Sequence, residues 1–360
     1  MLLIDRYIIR KFLFILFYTS LAFIVIFIVV DLVEHLDEFL ANKASFGDAV
    51  LYYIYYIPYI VILTLPINML LSSLFSLGSM AQYNELIALM SSGVSLYRIS
   101  APLLVMALFI SIISGVAGET LVPKTNRLRL DIWRYEIRKQ KRIMTGTRRE
   151  IALQDRGNRE VNIQYYDGKH QKASRVNIVH VEGNQVVERW DAHYMIWVAD
   201  SSGWKMNQVT YRVFTDTGEV VQRIPVMWYT DTHISPDDLL ELQIKPEEMN
   251  YSELNRFVDK MLYLGADARK WLVDLYLKIS YPLANFIIVL FGIPLASRKR
   301  RSGPALGFAL ALMISFVYFL FLRTGQVLGH NGTLEPWLGA WIGNIVFGIG
   351  GIFLMIKVRK

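Results

Sequence analysis

A cluster of lysines and arginines is the first candidate for a binding site in this chain. Ten lysines and arginines fall between Lys124 and Arg149. Guanidinium groups match phosphate and carboxylate oxygens with paired hydrogen bonds, so such a cluster is suited to hold an anionic headgroup. Arg127, Arg129 and Arg134 stand closest to an apolar run and are predicted contacts for lipid phosphates. The alternative is a solvated helix face, which is the more ordinary role for most of the cluster.

Two further ionisable residues stand at the ends of apolar runs. Glu119 follows one run and Arg323 follows another. Ionisable groups at membrane depth are candidates for function, although a side chain this close to the boundary reaches water at small cost. Arg323 is kept as a fourth candidate contact for lipid phosphate, with snorkelling as the ordinary alternative.

Patterns of enzyme chemistry are missing from the sequence. There is no G-x-x-x-x-G-K-[ST] loop for ATP, no H-E-x-x-H zinc motif and no G-x-S-x-G nucleophile turn. The chain has no cysteine, which excludes disulfides, thiolate metal sites and cysteine nucleophiles. We predict no catalytic residue, no metal and no cofactor. The net charge of +7 would raise nucleic acid as a partner of a soluble protein, but these cations border apolar runs, and no nucleic-acid partner is predicted.

The apolar residues collect at both ends of the chain, of which 54% is hydrophobic. A helix needs about 20 apolar residues to cross the hydrocarbon core. Six runs qualify: Phe12–Val30, Ala49–Asn84, Ile99–Gly118, Ile279–Ser297, Ser302–Leu322 and Pro336–Ile356. The second run is too long for one perpendicular span, so we expect a tilted or kinked helix with a lead-in, and Pro58 and Pro66 are candidate kinks. The pattern predicts an α-helical polytopic membrane protein with six transmembrane helices.

The charges beside these runs orient the chain. Cations precede the first run at Arg6, Arg10 and Lys11, fill the connection 298–301 and end the chain. The connection Asp31–Asp48 is acidic instead. Because short cytoplasmic connections carry the excess of lysine and arginine, both termini are predicted in the cytoplasm and the long central segment outside it.

The connection between the second and third runs contains a second motif. Asn84 is suited to cap a short helix, Glu85 lies in its first turn and Gly93 ends it. The apolar residues of this helix at helical spacing are Leu86, Ile87, Leu89 and Met90. A short helix with an exposed apolar face suits insertion into a groove of a partner. The alternative is that it lies against the chain's own helices or the lipid headgroups.

The central segment changes to period-two alternation. Turn residues separate the stretches Arg159–Tyr166, Arg175–Val181, Gln185–Trp190, Tyr194–Ala199, Trp204–Phe214 and Glu219–Ile224. This pattern indicates antiparallel strands in a sandwich or curled sheet, whose edges either pair with a neighbouring chain or are protected. Helices are predicted over Asn126–Arg142 and Tyr251–Trp271, the second capped by Ser252. The expected domains are 1–125, 126–272 and 273–360.

Five short motifs are specific enough to compare with known families. They are LIDRYI from Leu3, LP at Leu65, LGSMAQ from Leu77, NELIALMSSG from Asn84 and ETLVP from Glu119. Together with the six runs and the inserted β domain, they resemble the LptF/LptG permease family of the lipopolysaccharide export system of Gram-negative bacteria. The likeness is greater to the LptG branch.

The resemblance implies a mechanism. In that family two related permease subunits form a cavity facing the outer leaflet of the inner membrane, and a cytoplasmic LptB-like ATPase dimer drives them. The implied docking residues are Asn84, Glu85, Leu86, Leu89, Met90 and Gly93, with Glu85 paired to a basic residue of the ATPase. The lipid would enter beside the first and fifth spans and pass into a periplasmic jellyroll that continues edge to edge into partner jellyrolls. The implied partners are an LptF-like sibling permease, a single-span LptC-like protein and lipopolysaccharide.

The sequence departs from the family pattern near the first span. LptG-type proteins can carry lysines there that face lipid phosphates, whereas this chain has Asp31, Asp37 and Glu38, and Tyr59 stands where the second span can carry a lysine. Either other cations contact the lipid phosphates or the lipid differs.

The alternative function is a membrane-anchored scaffold or signalling protein that binds a partner through its outer domain. ATP-dependent lipid extraction with a reconstituted ATPase distinguishes the two.

Overall fold

The computed structural model describes residues 3–139, 147–155, 158–183, 185–215, 218–236, 239, 248–263, 266–297 and 303–357. The chain divides into two compact units. The membrane unit comprises residues 1–139 and 269–360, and the β unit comprises residues 140–268. The predicted cations Lys141 and Arg142, the basic connection 298–301 and the terminal residues Arg359 and Lys360 lie outside the described residues.

Six helices of the described chain are long and apolar enough to cross a membrane, which confirms the six predicted spans. The helices are α1 (Leu3–Ala41), α2 (Phe46–Gln82), α3 (Glu85–Ser91), α4 (Leu96–Thr120), α5 (Val122–Asp131), α6 (Tyr251–Tyr263), α7 (Arg269–Ala296), α8 (Gly303–His330) and α9 (Pro336–Lys357). With 39 and 37 residues, α1 and α2 are each about 55–58 Å long. Both are therefore longer than a hydrocarbon core of roughly 30 Å requires.

The helix α2 is the centre of the membrane unit. It remains a single helix although Pro58 and Pro66 lie inside it, and the expected lead-in is part of it, since Ser45 caps its first turn by accepting a hydrogen bond from Gly47 N. The second half of α2 is almost wholly buried. Four other helices, α1, α5, α7 and α8, pack on α2.

Glycines and buried hydrogen bonds bring the spans together. A side chain at Gly339 of α9 would stand 2.7 Å from the carbonyl oxygen of Gly325 in α8, so these two backbones touch. Asn285 of α7 donates to the Ser114 hydroxyl of α4 at 3.0 Å. Small residues and amide or hydroxyl side chains are the usual means of helix association inside a membrane, because burial against lipid gives no hydrophobic gain.

The predicted helix Tyr251–Trp271 is wrong in its length and its cap. The helix α6 ends at Tyr263 and α7 begins at Arg269. The intervening sequence contains a glycine and Asp267, which favour turns over helix. The cap is Asn250 and not Ser252: Asn250 Oδ1 accepts from Glu253 N at 2.9 Å, and Glu253 Oε2 accepts from Asn250 N at 3.0 Å. This is a reciprocal capping box.

The predicted helix Asn126–Arg142 is also not one regular helix. The helix α5 ends at Asp131, and a π-helical turn, Ile132–Ile137, continues the chain. Arg138 N closes this turn by donating to Trp133 O at 2.9 Å. The wider turn changes which side chains face α1 and α2, a change that a 3.6-residue repeat does not predict.

The β unit contains one antiparallel sheet of six strands, which confirms the predicted fold class. The strands are β1 (Thr147–Asp155), β2 (Arg159–Asp167), β3 (Lys172–Glu182), β4 (Gln185–Val198), β5 (Gly203–Thr215) and β6 (Gly218–Tyr229). Their order is β1-β2-β3-β4-β5-β6, so each strand pairs with its neighbour in sequence. The edge strands of the described sheet are β1 and β6.

The strand predictions missed one strand and divided another. The strand β1 was not predicted, because its charged residues obscure the alternation. The stretches Gln185–Trp190 and Tyr194–Ala199 belong to the single strand β4, since Asp191 and Ala192 between them pair with Thr210 and Val209 of β5. The irregularity lies on β5 instead, where Gln208 has a φ of 53°.

A buried carboxylate joins the first strand to the segment after the last. Asp155, at the end of β1, is 0% exposed. It accepts hydrogen bonds from Tyr229 Oη at 2.8 Å, Thr232 Oγ1 at 2.7 Å and His233 N at 3.2 Å. The two edge strands therefore meet at this end, and the sheet is curled around its apolar face.

Candidate functional site

The helix α3 lies at the end of the membrane unit where α1 begins. Tyr7 Oη of α1 donates to Glu85 Oε2 at 3.0 Å, and Lys11 Nζ donates to the same tyrosine hydroxyl at 3.4 Å. A groove of about 580 Å³ runs beside them and is lined in part by Leu3, Leu89 and Glu85 itself. The carboxylate of Glu85 is thus held by α1 at the side of an apolar groove.

The predicted residues of α3 fall into two groups. Leu86 is 1% exposed and belongs to the core of the membrane unit. Leu89 and Met90 pack against the same core and remain partly accessible. Glu85 lines the groove, and Ile87 is the large apolar side chain on the outer face. Leu86 therefore fixes α3 on its own chain, and a partner would meet Glu85 and Ile87.

Both ends of α3 have left-handed backbone conformations. Asn84 occupies the N-cap position, as predicted, but its φ is 62° and its side chain makes no capping hydrogen bond. Asparagine tolerates this conformation better than most residues do. Gly93 has a φ of 92°, and beyond it Val94 N donates to Leu89 O at 3.2 Å. Gly93 ends the helix in the way that the sequence predicted.

An ion pair fixes the start of α1 beside α3. Arg98 of α4 donates through both terminal nitrogens to Asp5, at 2.9 Å to Oδ1 and 3.0 Å to Oδ2. This forked geometry is the strong form of a carboxylate–arginine contact. Sequence analysis missed the pair, because the two residues are 93 positions apart and each resembles an ordinary flanking charge.

Arg129 and Arg138 contact an aromatic cluster at the opposite end of α1. Phe39, Tyr52, Trp133 and Ile137 form a small buried core there between α1, α2 and the π-helical turn. The guanidinium of Arg129 lies 4.2 Å from the ring centroid of Tyr56. The aromatic composition of α2 around residues 52–59 was the available sequence signal for this site.

Arg129 is the best positioned of the predicted phosphate contacts. Its guanidinium also lies 5.6 Å from the Tyr52 ring and 5.9 Å from the Tyr59 ring, and the Tyr56 and Tyr59 rings are stacked. Its Nε is buried and has no hydrogen-bond partner in the described part of the chain. A guanidinium fixed over aromatic faces and not by a carboxylate keeps its charge and its planar fork for an anion.

The other three candidates are engaged within the chain. Arg127 and Arg134 both take part in interactions with other residues. Arg323 of α8 donates to Gln326 Oε1 at 2.8 Å, and Gln326 in turn donates to Asp274 of α7 at 3.2 Å. Arg127, Arg129 and Arg134 share α5 and the π-helical turn, whereas the polar contacts of Arg323 lie on α7 and α8.

Two of the three unexpected acidic residues, Asp31 and Glu38, are paired within the chain. Arg138 binds Glu38 in a forked contact, 2.7 Å from Nε and 2.8 Å from Nη2. The hydrogen bond to Glu38 raises the pKa of Arg138, against the opposing effect of partial burial. Asp31 contacts His35 at 3.5 Å. Two of the three acidic residues thus have contacts inside the chain and leave Arg129 available.

Glu119 is also paired rather than exposed to lipid. Lys278 of α7 donates to its Oε1 at 3.2 Å, and both side chains are largely buried. The pair joins the ends of α4 and α7. This residue therefore has a structural explanation, and nothing further is assigned to it.

These features define a polytopic membrane protein in which two groups of three spans flank an inserted antiparallel β unit. The family model of the lipopolysaccharide export system permease LptF/LptG matches residues 6–357, and the chain belongs to that family. It is similar to the lipopolysaccharide export system permease protein LptG of Escherichia coli strain K12, with 21% identity over 98% of each chain. The protein of the same name from Haemophilus influenzae is also 21% identical, over 97% of this chain and 93% of its own. The chain is accordingly a multi-pass inner-membrane protein of a transport family and not an enzyme.

Proposed function

We propose that this chain is the permease subunit of an ATP-driven exporter that extracts lipopolysaccharide from the inner membrane and passes it to a periplasmic bridge. The observation that carries the proposal is full-length membership of the LptF/LptG family, together with relatives named for lipopolysaccharide export. The sequence has no phosphate-binding loop of its own, so ATP hydrolysis is assigned to a separate LptB-like dimer. An LptF-like sibling completes the membrane part.

The coupling site in this proposal is α3. Glu85 is held at the side of an apolar groove by Tyr7, and Ile87 faces outward. A carboxylate beside an apolar surface suits a partner that offers one cation and one apolar pocket. Both termini and α3 are placed in the cytoplasm, because the short connections on that side carry the excess of cations.

The periplasmic part of the route is the β unit. Its edge strand β6 carries large apolar side chains that are exposed, namely Val220, Val221, Val226 and Trp228. An edge strand offers unpaired backbone donors and acceptors to a further strand. This supports edge-to-edge continuation into an LptC-like partner.

The anion contact is assigned to Arg129. The tyrosine rings of α2 hold its guanidinium, and its Nε has no partner among the described residues. Lipopolysaccharide carries phosphates, which match a planar guanidinium. Arg127, Arg134 and Arg323 remain further predicted contacts.

The docking role is tested by reversing the charge of Glu85. Glu85→Lys should lower the amount of ATPase that co-purifies with the permease by about tenfold or more, because an interfacial charge pair is replaced by repulsion. ATP-dependent release of lipopolysaccharide from proteoliposomes should fall in parallel. Undiminished assembly and release would contradict the docking role.

The matched control is Tyr7→Phe, which removes the internal hydrogen bond to Glu85 and leaves its charge. Assembly with the ATPase should be nearly normal in this variant. If Tyr7→Phe loses as much ATPase as Glu85→Lys, the carboxylate acts by holding α1 and not by meeting a partner.

A further inference from the structure

One face of α1 carries cations and aromatic rings that no other described element covers. The residues are Arg6, Ile9, Arg10, Leu13, Phe14 and Phe17, which recur at the three- and four-residue spacing of a single helix face. They line a surface groove of about 520 Å³. In the apolar stretch of α1, 6% of the residues are buried within the described chain. This face is therefore open along its length.

The cations of this groove have no partner among the residues that the structure describes. Arg6 and Arg10 make no hydrogen bond or ion pair to any residue that the structure describes, whereas the neighbouring Lys11 is bonded to Tyr7. Both arginines are exposed. They stand one turn apart on the same face, so a single phosphate is within reach of both.

The groove has the depth of one membrane leaflet. From Arg6 to Tyr18 the helix rises about 18 Å, which is close to half of a hydrocarbon core of roughly 30 Å together with its headgroup boundary. Phe14 and Phe17 both pack against Tyr18, with ring centroids 4.5 and 5.5 Å away. The face therefore runs from cations at the headgroup level to aromatic rings within the acyl chains.

The side chains of this face favour a lipid over another helix. Helix pairs in a membrane approach through small residues, as α8 and α9 do at Gly325 and Gly339. The groove is lined by leucine, isoleucine, phenylalanine and tyrosine and has no such residue.

We propose that this face binds an anionic phospholipid of the leaflet beside which α1 begins. Arg6 and Arg10 hold its phosphate, and one acyl chain lies against Leu13, Phe14 and Phe17. The site is separate from Arg129, which lies at the opposite end of the membrane unit. It does not depend on the export activity or on the direction of the chain in the membrane.

The test is native mass spectrometry of the full-length chain in mild detergent, titrated with phosphatidylglycerol and with phosphatidylethanolamine. We expect preferential retention of phosphatidylglycerol. In the double variant Arg6→Gln/Arg10→Gln its affinity should fall about 30-fold, since each basic residue near an anionic surface contributes roughly a fivefold factor. The matched control is Lys11→Gln, which removes a cation of the same turn that lies outside the groove and is bonded to Tyr7; it should weaken binding by less than the roughly fivefold factor expected for one groove arginine.

Four results would overturn the proposal. One is equal retention of both phospholipids, and a second is an equal loss in Lys11→Gln, which would mean that net charge alone acts. The third is displacement of phosphatidylglycerol by lipopolysaccharide, which would assign the groove to the cargo. If the double variant instead loses a co-purifying permease subunit while its lipid content is unchanged, the occupant is a helix of that subunit and the lipid site is again excluded.

Discussion

The contacts of individual residues determine which charges of this chain are available to a ligand. Several cations near the membrane are already neutralised, as Arg98 is by Asp5 and Arg138 is by Glu38. Arg129 differs because aromatic rings and not a carboxylate hold it. Its positive charge is therefore retained in a partly buried setting, where an anion is bound more strongly than at an open surface.

Replacement of Arg129 should weaken binding of lipopolysaccharide. Arg129→Gln removes the charge-assisted hydrogen bonds to a phosphate, and we expect on the order of tenfold weaker binding. Arg129→Lys should recover only part of this, because an ammonium lacks the planar fork. Binding of labelled lipopolysaccharide to the purified chain measures the effect. Arg149→Gln in the β unit is the control, and an equal effect there would contradict a specific role.

Asp155 is the residue on which the β unit depends most. Asp155→Ala would leave the donors of Tyr229, Thr232 and His233 without their acceptor, and we expect the β unit to lose about 3 kcal/mol of stability. Amide hydrogen exchange of β1 and β6 in the full-length chain measures this loss. Glu219→Ala, which removes an exposed carboxylate that contacts Arg212 at 3.6 Å, should cost less than about 1 kcal/mol. Unchanged exchange in Asp155→Ala would contradict the role of the buried carboxylate.

At the scale of elements, the membrane unit is assembled by close backbone contact. The spans α8 and α9 touch at Gly325 and Gly339, and α7 meets α2 at Gly292, where an added Cβ would stand 2.7 Å from Ser73 Oγ. By contrast, α1 is fixed mainly near its ends, by Asp5 at one end and by Glu38 and Phe39 at the other. The middle of α1 is the least covered part of the described membrane unit.

Gly339 should tolerate no larger side chain. In Gly339→Val the added carbon would overlap the backbone of Gly325, which cannot move without separating α8 from α9, so we expect a loss of about 3 kcal/mol or failure to assemble. The midpoint of thermal aggregation in detergent measures it. Gly348→Val on the same helix is the control, since a Cβ there meets nothing within 4 Å. Equal midpoints for the two variants would contradict the contact.

At the scale of the whole molecule, the proposed orientation makes opposite predictions for the two units. The chain has no cysteine, so single cysteines report accessibility without a background. A cysteine at Ser91 of α3 should be protected from a membrane-impermeant maleimide in intact spheroplasts, whereas one at Gln185 of β4 should react. Lysis should expose Ser91→Cys fully. Labelling of Ser91→Cys before lysis would reverse the assigned topology.

Local sequence patterns were sufficient to predict the class of this protein. Six apolar runs of spanning length, period-two alternation between them and the motif from Asn84 to Gly93 were enough to predict the spans, the sheet and the short helix α3. The reason is that these features are local: span length follows from bilayer thickness, and strand alternation follows from the pleat. Predictions of helix ends were poorer, as Ser252 shows, because several neighbouring polar residues compete for each cap.

The tertiary structure was needed to show which charges and side chains are available to a ligand or partner. It paired Asp5 with Arg98 across 93 residues, put Leu86 of α3 into the core, and placed Arg129 over Tyr56 while Glu38 received Arg138. Such pairings depend on which helices become neighbours, and helix neighbours are set by long-range packing that the local pattern does not contain. The physical reason is that a charge has the same sequence signature whether it is neutralised or free.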